Sequence, residues 1–124
     1  MRASILKQTT FLIASVQGSI WDSDLVNLRE DLASDMRQHR STGVIVDVTM
    51  LDVINSFVVR TLRGIAQMVK LLGAECVVVG IQPDVALSMV QLDLTLEGTK
   101  TAIDLEDGLE LLNGRNDGAI PRDD

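Results

Sequence analysis

The segment "VIVDVTMLDVINSFVVRTLRGIAQMVKLLGAECVVVG", residues 44–80, decides the fold of this chain. It begins with "VIVDV", a short apolar run of mostly β-branched residues that is typical of a buried strand. Apolar residues at three- and four-residue steps then predict an amphipathic helix, whose stripe is Val58, Leu62, Ile65, Val69 and Leu72. Gly73 closes this helix, and "CVVVG" is a second buried strand. Strand, helix and strand with short connections form a βαβ unit with parallel strands.

The sequence before this unit predicts two further strands and a helix. "RASILK" and "TFLIASVQG" have the length and composition of strands, and Gly18 bounds the second. Asp22 or Ser23 then caps an amphipathic helix. Its apolar stripe consists of Leu25, Leu28, Leu32 and Met36.

The sequence after the unit predicts two helices and one strand. Pro83 and Asp84 open the first helix, "TKTAI" forms the strand, and Asp104 caps the last helix. The apolar positions of the two helices are Val85, Met89 and Leu92, followed by Leu105, Leu109 and Leu112. We therefore predict one α/β domain over residues 1–114, with about four helices packed against a sheet. Residues 115–124 lack periodicity and are predicted to form a flexible tail.

Composition excludes several classes of function. The chain has 124 residues, 46% of them apolar, and a net charge of −7. This charge disfavours binding to nucleic acid or to an anionic membrane surface, both of which require clustered Lys and Arg. The single cysteine, Cys76, cannot form an internal disulfide, which suits a reducing compartment. With neither a signal peptide nor a membrane-spanning stretch in the pattern, the expected location is the cytoplasm.

The side chains that usually carry catalysis are few and scattered. His39 lies at a predicted helix end, and Cys76 lies inside an apolar strand. Asp47 and Asp52 flank the turn before the second helix, where such residues more often bond the nearby backbone than bind a metal. The glycine-containing stretches "GIQPD" and "GLELLNG" lack the spacing of a phosphate-binding loop. The sequence therefore predicts no catalytic residue, no metal site and no cofactor.

Ser56 is the residue that needs an explanation. Either Asn55 or Ser56 caps the second helix by accepting a backbone N–H. A hydroxyl at that place has a second property, because the free N–H groups and partial positive charge of a helix start tolerate an attached phosphate. Phosphorylation adds about −1.5 to −2 charges. Local chemistry favours the capping role, and it leaves the modification open.

Several pieces of the sequence resemble the STAS domain of anti-sigma-factor antagonists. They are "VIVDVT", "INSF", "KLLGA" and "VGIQPDVA", and the likeness runs from "ILKQTTFLIASVQ" to "TAIDLEDGLELL". Within this family the chain is most similar to the RsbS-type scaffold of the bacterial stressosome. The resemblance implies a single STAS domain with a mixed β-sheet.

The resemblance also implies partners and a switch. RsbS-type proteins form homo- and hetero-oligomers with RsbR-type paralogues and sequester an RsbT-like serine/threonine kinase, whose effect a phosphatase reverses. The match in "INSF" makes Ser56 the expected phosphate acceptor. Met50, Leu51, Asn55 and Phe57 are then expected to contribute to the partner-binding surface beside it.

Two positions depart from the family pattern. Asn55 stands where relatives often have an acid, which removes a negative charge that would repel the incoming phosphate. Asp93 stands where relatives often have glycine, and aspartate tolerates a left-handed turn better than most residues.

A second hydroxyl and two alternative functions complete the hypotheses. Ser88 matches a threonine that is phosphorylated in RsbR-type relatives, but a mid-helix phosphate lacks the free N–H groups of a helix start, so an ordinary surface role is favoured.

The first alternative function is a simple anti-anti-sigma factor controlled by serine phosphorylation. The second is a STAS module that binds a small ligand or a nucleotide.

Overall fold

The computed structural model describes residues 2–8, 11–18, 22–51 and 54–116. The strands are β1 (Arg2–Gln8), β2 (Phe11–Gly18), β3 (Gly43–Leu51), β4 (Glu75–Val79) and β5 (Lys100–Ala102). The helices are α1 (Asp22–His39), α2 (Ser56–Leu71), α3 (Pro83–Gln91) and α4 (Leu105–Asn116). Each element predicted from the sequence is present, and β3 is longer than the predicted "VIVDV".

The strands form one mixed sheet in the order β1-β2-β3-β4-β5. The edge strand β1 pairs antiparallel with β2, and the other three pairings are parallel. Strands β3 and β4 are joined by α2 and lie in register, with Val44 opposite Cys76 and Val46 opposite Val78. The predicted βαβ unit and the mixed sheet are confirmed.

Side chains of the central strands alternate between two apolar layers. In β3, Val44, Val46 and Val48 belong to the larger core, which α1, α2 and α3 cover. Ile45 points to the opposite face, where it packs in a smaller cluster with Leu112 of α4. Because both faces of these strands are buried, their sequences are almost continuously apolar.

The apolar stripe of helix α2 packs against the larger core, except for Leu72, the last residue of the predicted stripe, which follows the helix. The buried residues of this helix are Val58, Val59, Thr61, Leu62, Ile65, Ala66 and Val69. Leu72 was predicted to continue the stripe, but its side chain is 49% exposed because the chain leaves the helix there. Gly73 follows with a φ of +90°, and its N–H donates to the carbonyl oxygen of Lys70 at 3.0 Å. Such a left-handed residue is a common helix end.

The end of α3 shows a similar departure. Leu92 was predicted to lie on the apolar stripe with Val85 and Met89, which are buried, but Leu92 is 63% exposed. It follows the last helical residue, and Asp93 next to it has a φ of +56°. The reversal carries Leu92 away from the core. The expectation that Asp93 occupies a left-handed turn is confirmed.

Helix α4 begins with the predicted cap. The Asp104 carboxylate accepts the backbone N–H of Asp107 through Oδ1 at 2.9 Å. The helix then reaches Asn116, two residues beyond the predicted domain end at 114. The rest of the predicted tail, residues 117–124, lies outside the described residues. Within the described part of the chain, no helix combines the length and apolar character required to cross a bilayer.

Candidate functional site

The candidate site lies where β3 ends and α2 begins. Asp47 holds the last part of the strand, because its Oδ1 accepts the backbone N–H of Thr49 at 2.9 Å and the Thr49 hydroxyl at 2.6 Å. This is the local backbone-binding role expected for Asp47, whereas Asp52 lies outside the described residues. The described residues contain no group of three or more His, Cys, Asp and Glu side chains that could hold a metal ion.

Asn55 is the N-cap of α2. Its backbone is extended, with φ −134° and ψ −179°, and its side-chain Oδ1 accepts the N–H of Val58 at 2.8 Å. Its carbonyl oxygen accepts the N–H of Val59 at 3.0 Å. Of the two capping residues that the sequence left open, the structure therefore selects Asn55, and Ser56 becomes the first helical residue.

Within the described part of the chain, the Ser56 hydroxyl is consequently left out of the helix cap. The residue is exposed, and among the described residues no partner bonds its side chain. The N–H groups of Ser56 and Phe57 are in the first turn, where an α-helix offers donors without intrahelical acceptors. Val58 has its N–H occupied by Asn55. An oxyanion attached to Ser56 would lie beside the remaining donors and the positive end of the helix dipole.

The apolar neighbours of Ser56 have different environments. Met50 is 60% exposed. Phe57 is partly buried and packs against the larger core. Leu51 is only 1% exposed and belongs to that core. The expectation that Leu51 contributes to a docking surface is therefore corrected. The register between β2 and β3 shifts by one residue between Asp47 and Met50, which interrupts the alternation of β3, so Leu51 rather than Met50 faces the larger core.

A second loop packs against the same end of β3. The side-chain amide of Gln82 donates to the carbonyl oxygen of Thr49 across 2.6 Å. Gly80, at the end of β4, has a φ of +82°, and a Cβ added there would overlap the Thr49 hydroxyl oxygen. The loop that leads into α3 is thus fitted closely to the strand end that leads toward Ser56.

Sequence reasoning missed the role of Thr49, Gly80 and Gln82. The stretch "GIQPD" lacks the spacing of a phosphate-binding loop and contains the predicted start of α3, but neither feature assigns a contact to Gly80 or Gln82. A glycine after a buried strand, followed by a proline at a helix start, indicates a tight connection. It does not identify the strand that this connection touches.

The other candidate side chains lie elsewhere. Ser88 is exposed on α3, in the helix interior as expected, and its modification stays a prediction. His39 is exposed at the end of α1. Cys76 is buried in β4, and burial, followed by the negative charge of Glu75, raises the pKa of its thiol to about 12. Such a thiol is a weak nucleophile at neutral pH.

Comparison with known proteins decides the family. The family model for the STAS domain matches residues 2–106. The chain belongs to the STAS domain family. Two relatives come from Bacillus subtilis (strain 168). RsbT co-antagonist protein RsbRA is 29% identical over 93 residues, which are 75% of this chain and 34% of RsbRA. The uncharacterized protein YezB is 30% identical over 78 residues, which are 63% of this chain and 80% of YezB.

Solved structures of similar STAS proteins extend over almost the whole chain. A serine-to-glutamate variant of RsbS from Moorella thermoacetica superposes with a TM-score of 0.78 at 29% identity, covering 97% of this chain and 100% of that one. A chain from the molecular architecture of the stressosome gives 0.72 at 29% identity, covering 91% and 98%. The unphosphorylated anti-sigma factor antagonist SpoIIAA gives 0.70 at 11% identity, covering 91% and 99%, and shares the fold.

These matches confirm the STAS family and its likeness to RsbS and stressosome proteins. The STAS domain of this chain spans about a third of the length of RsbRA, whose remaining sequence has no counterpart in the aligned residues. In contrast, the match to the RsbS structure covers the full length of the RsbS chain.

Proposed function

We propose that this chain is a non-catalytic, RsbS-like scaffold of a cytoplasmic stressosome-type assembly and that Ser56 is its phosphorylation switch. In this proposal the chain forms homo- and hetero-oligomers with an RsbR-type paralogue. It sequesters an RsbT-like serine/threonine kinase until Ser56 is phosphorylated, and a phosphatase restores the binding state. The observation that carries the proposal is the exposed Ser56 hydroxyl, which Asn55 frees from capping.

The extent of the structural similarity supports a scaffold role. The match to RsbS covers nearly all of both chains, and the match to the stressosome chain is almost as extensive. RsbRA, by its name, is a co-antagonist of RsbT, and its aligned part is a domain like this one. The likeness of the two domains supports a shared assembly with RsbR-type proteins.

The surroundings of Ser56 support release by phosphate. Phe57, next to Ser56, has an accessible part, and Met50, near the end of the strand that leads toward α2, is exposed, so both offer apolar surface to a partner. A kinase bound there removes water from this surface, and a phosphate then places up to two negative charges in an interface that solvates them poorly. A penalty of about 2–3 kcal/mol weakens binding by roughly 30- to 150-fold, which suffices for release.

The experiment uses the full chain with an RsbR-type paralogue, an RsbT-like kinase and ATP. Unmodified protein should gain one phosphate, on Ser56, and release the kinase. Ser56→Ala should assemble and retain the kinase in the presence of ATP, while Ser56→Asp should assemble but bind it more weakly. Ser88→Ala is the matched control and should behave as the unmodified protein. Release that is undiminished in Ser56→Ala, or phosphate found mainly elsewhere, overturns the switch.

Mass measurement separates the scaffold from the simple anti-anti-sigma factor. A stressosome-type assembly with the paralogue is expected to have a mass many times that of the 13.5 kDa chain. A species no larger than a dimer, which still binds an anti-sigma kinase and loses it on phosphorylation, would replace the scaffold by the simpler alternative.

A further inference from the structure

A cavity of about 330 Å³ lies at the opposite end of α2 from Ser56. The end of α1, the first residues after it and the end of α2 form its walls, and its lining residues are Met36, Arg37, Arg40, Ser41 and Leu72. Helix α2 has 16 residues, so its length separates the cavity from Ser56 by about 24 Å. The volume falls at the lower end of the range for small-molecule pockets.

Two arginines give the cavity its charge. Arg37 is in the last turn of α1, and Arg40 follows the helix with a φ of +48° and donates its N–H to the carbonyl oxygen of Met36 at 3.1 Å. Among the described residues, neither guanidinium forms an ion pair, although the chain carries a net charge of −7. The C-terminal ends of α1 and α2 each carry a partial charge of about −0.5, which together is smaller than the two full positive charges, so the cavity attracts anions.

Ser41 adds a hydrogen-bonding group to the wall of the cavity. The residue is 8% exposed, and its buried hydroxyl has no partner among the described residues. A buried hydroxyl without a partner costs stability, so packing alone would favour alanine. The dipole of α1 accounts for basic residues in its last turn, but it explains neither the cavity nor this hydroxyl.

The remaining walls are apolar. Met36 is buried and has a flexible thioether side chain, which adapts to irregular shapes. Leu72 follows the last residue of α2 and is half-exposed. An occupant that combines a compact anionic group with a small apolar body therefore matches both kinds of wall.

We propose that this cavity binds a small organic anion, whose carboxylate or phosphate pairs with Arg37 and Arg40 while its apolar part packs on Met36 and Leu72. Arginine suits this role because its planar guanidinium donates two parallel hydrogen bonds to such oxyanions. The site is independent of the proposed switch, since it uses neither Ser56 nor the surface around it.

The test is a titration of the full, isotope-labelled chain with benzoate and with phenyl phosphate, followed by the NMR shifts of backbone amides. Saturable shifts are expected at residues 36–41 and 72, with residues 54–58 unaffected. Benzyl alcohol, which has the apolar ring without the charge, and inorganic phosphate, which has the charge without the ring, should bind at least about tenfold more weakly. That factor corresponds to the loss of one good interaction.

Matched variants assign the binding to this cavity. The double variant R37Q/R40Q should reduce affinity for benzoate and phenyl phosphate at least about tenfold. The double variant R60Q/R63Q makes the same charge change at the same spacing on α2, outside the cavity, and should bind as the unmodified chain does. Ser41→Ala should retain or raise the melting temperature while weakening binding, a combination that a purely structural hydroxyl would not produce.

Three results would overturn the proposal. One is the absence of saturable shifts at residues 36–41 with both anions at 10 mM, a concentration about tenfold above a weak millimolar dissociation constant. Another is equal loss of binding in the two double variants, which would indicate general charge attraction. The third is benzyl alcohol binding as tightly as benzoate. If R37Q/R40Q does not fold, the benzoate comparison and Ser41→Ala still decide the outcome.

Discussion

The side-chain amide of Gln82 donates a hydrogen bond of 2.6 Å to the backbone carbonyl oxygen of Thr49. This bond links the loop before α3 to the end of β3, from which the chain continues toward Ser56. Thr49 is held from its other side by Asp47, whose carboxylate accepts both its N–H and its hydroxyl. The strand end is therefore positioned by contacts from two parts of the chain.

Loss of the Gln82 side chain should loosen this strand end. Gln82→Ala is expected to lower the free energy of unfolding by about 0.5–1.5 kcal/mol, the net value of one hydrogen bond. Urea denaturation measures this change, and hydrogen exchange should increase at Met50 and Leu51. Gln67→Ala is the control, because Gln67 is exposed on α2 and alanine suits a helix. An equal loss of stability in both variants would contradict the role of the bond.

Substitutions at Asn55 and Ser56 should show that helix capping depends on Asn55 and not on Ser56. Asn55→Ala removes the acceptor of the Val58 N–H and should cost about 1 kcal/mol, whereas Asn55→Asp keeps an equivalent acceptor and should retain stability. Ser56→Ala removes a hydroxyl that no described residue bonds, so its effect should stay within about 0.5 kcal/mol. Chemical denaturation of the three variants provides the comparison. A larger loss from Ser56→Ala than from Asn55→Ala would make Ser56 the cap.

Asn55→Asp should also change the chemistry at Ser56. The added carboxylate repels an incoming phosphoryl group, so we expect slower phosphorylation of Ser56 by the kinase at unchanged stability. The initial rate of phosphate incorporation, measured at low and at high salt, tests this effect. Because salt screens charges near the surface, the difference from the unmodified chain should shrink at high salt. A difference that salt leaves unchanged would point to altered kinase contacts instead.

Replacing Gly80 and Gly64 with alanine should change the stability of the chain in opposite directions. Gly80 has a φ of +82°, and an added Cβ would overlap the Thr49 side chain, so Gly80→Ala should destabilise the chain by about 1–3 kcal/mol. Gly64 lies inside α2 with open space where a Cβ would stand, so Gly64→Ala should stabilise it by about 0.5–1 kcal/mol. Thermal unfolding of both variants would refute this account if Gly80→Ala melted at or above the temperature of the unmodified chain.

Cys76 should be unreactive in the folded chain. Burial and the charge of Glu75 raise its pKa from 9.0 to about 12, so the thiolate fraction at pH 8 is about a thousandfold lower than in the unfolded chain. An aromatic disulfide reagent should label it rapidly in urea and very slowly without urea. Rapid labelling of the native chain would show that β4 opens readily.

The raised pKa of Cys76 also determines how the free energy of unfolding changes with pH. Below pH 9 both states keep the thiol proton, and its contribution to stability is fully present. As the pH rises from 9 toward 12, the unfolded chain releases the proton and the folded chain retains it, so the free energy of unfolding falls. Between pH 8 and pH 10, the free energy of unfolding should fall less in Cys76→Val than in the unmodified chain, because the variant has no thiol to titrate.

The sequence by itself determined the order and type of the helices and strands. Periodicity and capping depend on backbone geometry over a few residues, so the stripe of α2 and the Asp104 cap could be predicted from the residues themselves. The left-handed turn at Asp93 followed instead from the resemblance, because relatives often have glycine there. The resemblance carried by "INSF" and neighbouring motifs also led to the STAS family, which the family model confirms over residues 2–106.

Only the tertiary structure decided how the surfaces around these elements are built. The Thr49–Gln82 bond joins residues 33 positions apart, and the inward direction of Leu51 depends on the core that it meets. The cavity beside Arg37 and Leu72 is formed by two helix ends that are distant in the sequence. Such contacts depend on how separate elements pack against each other, and local backbone geometry does not encode that packing.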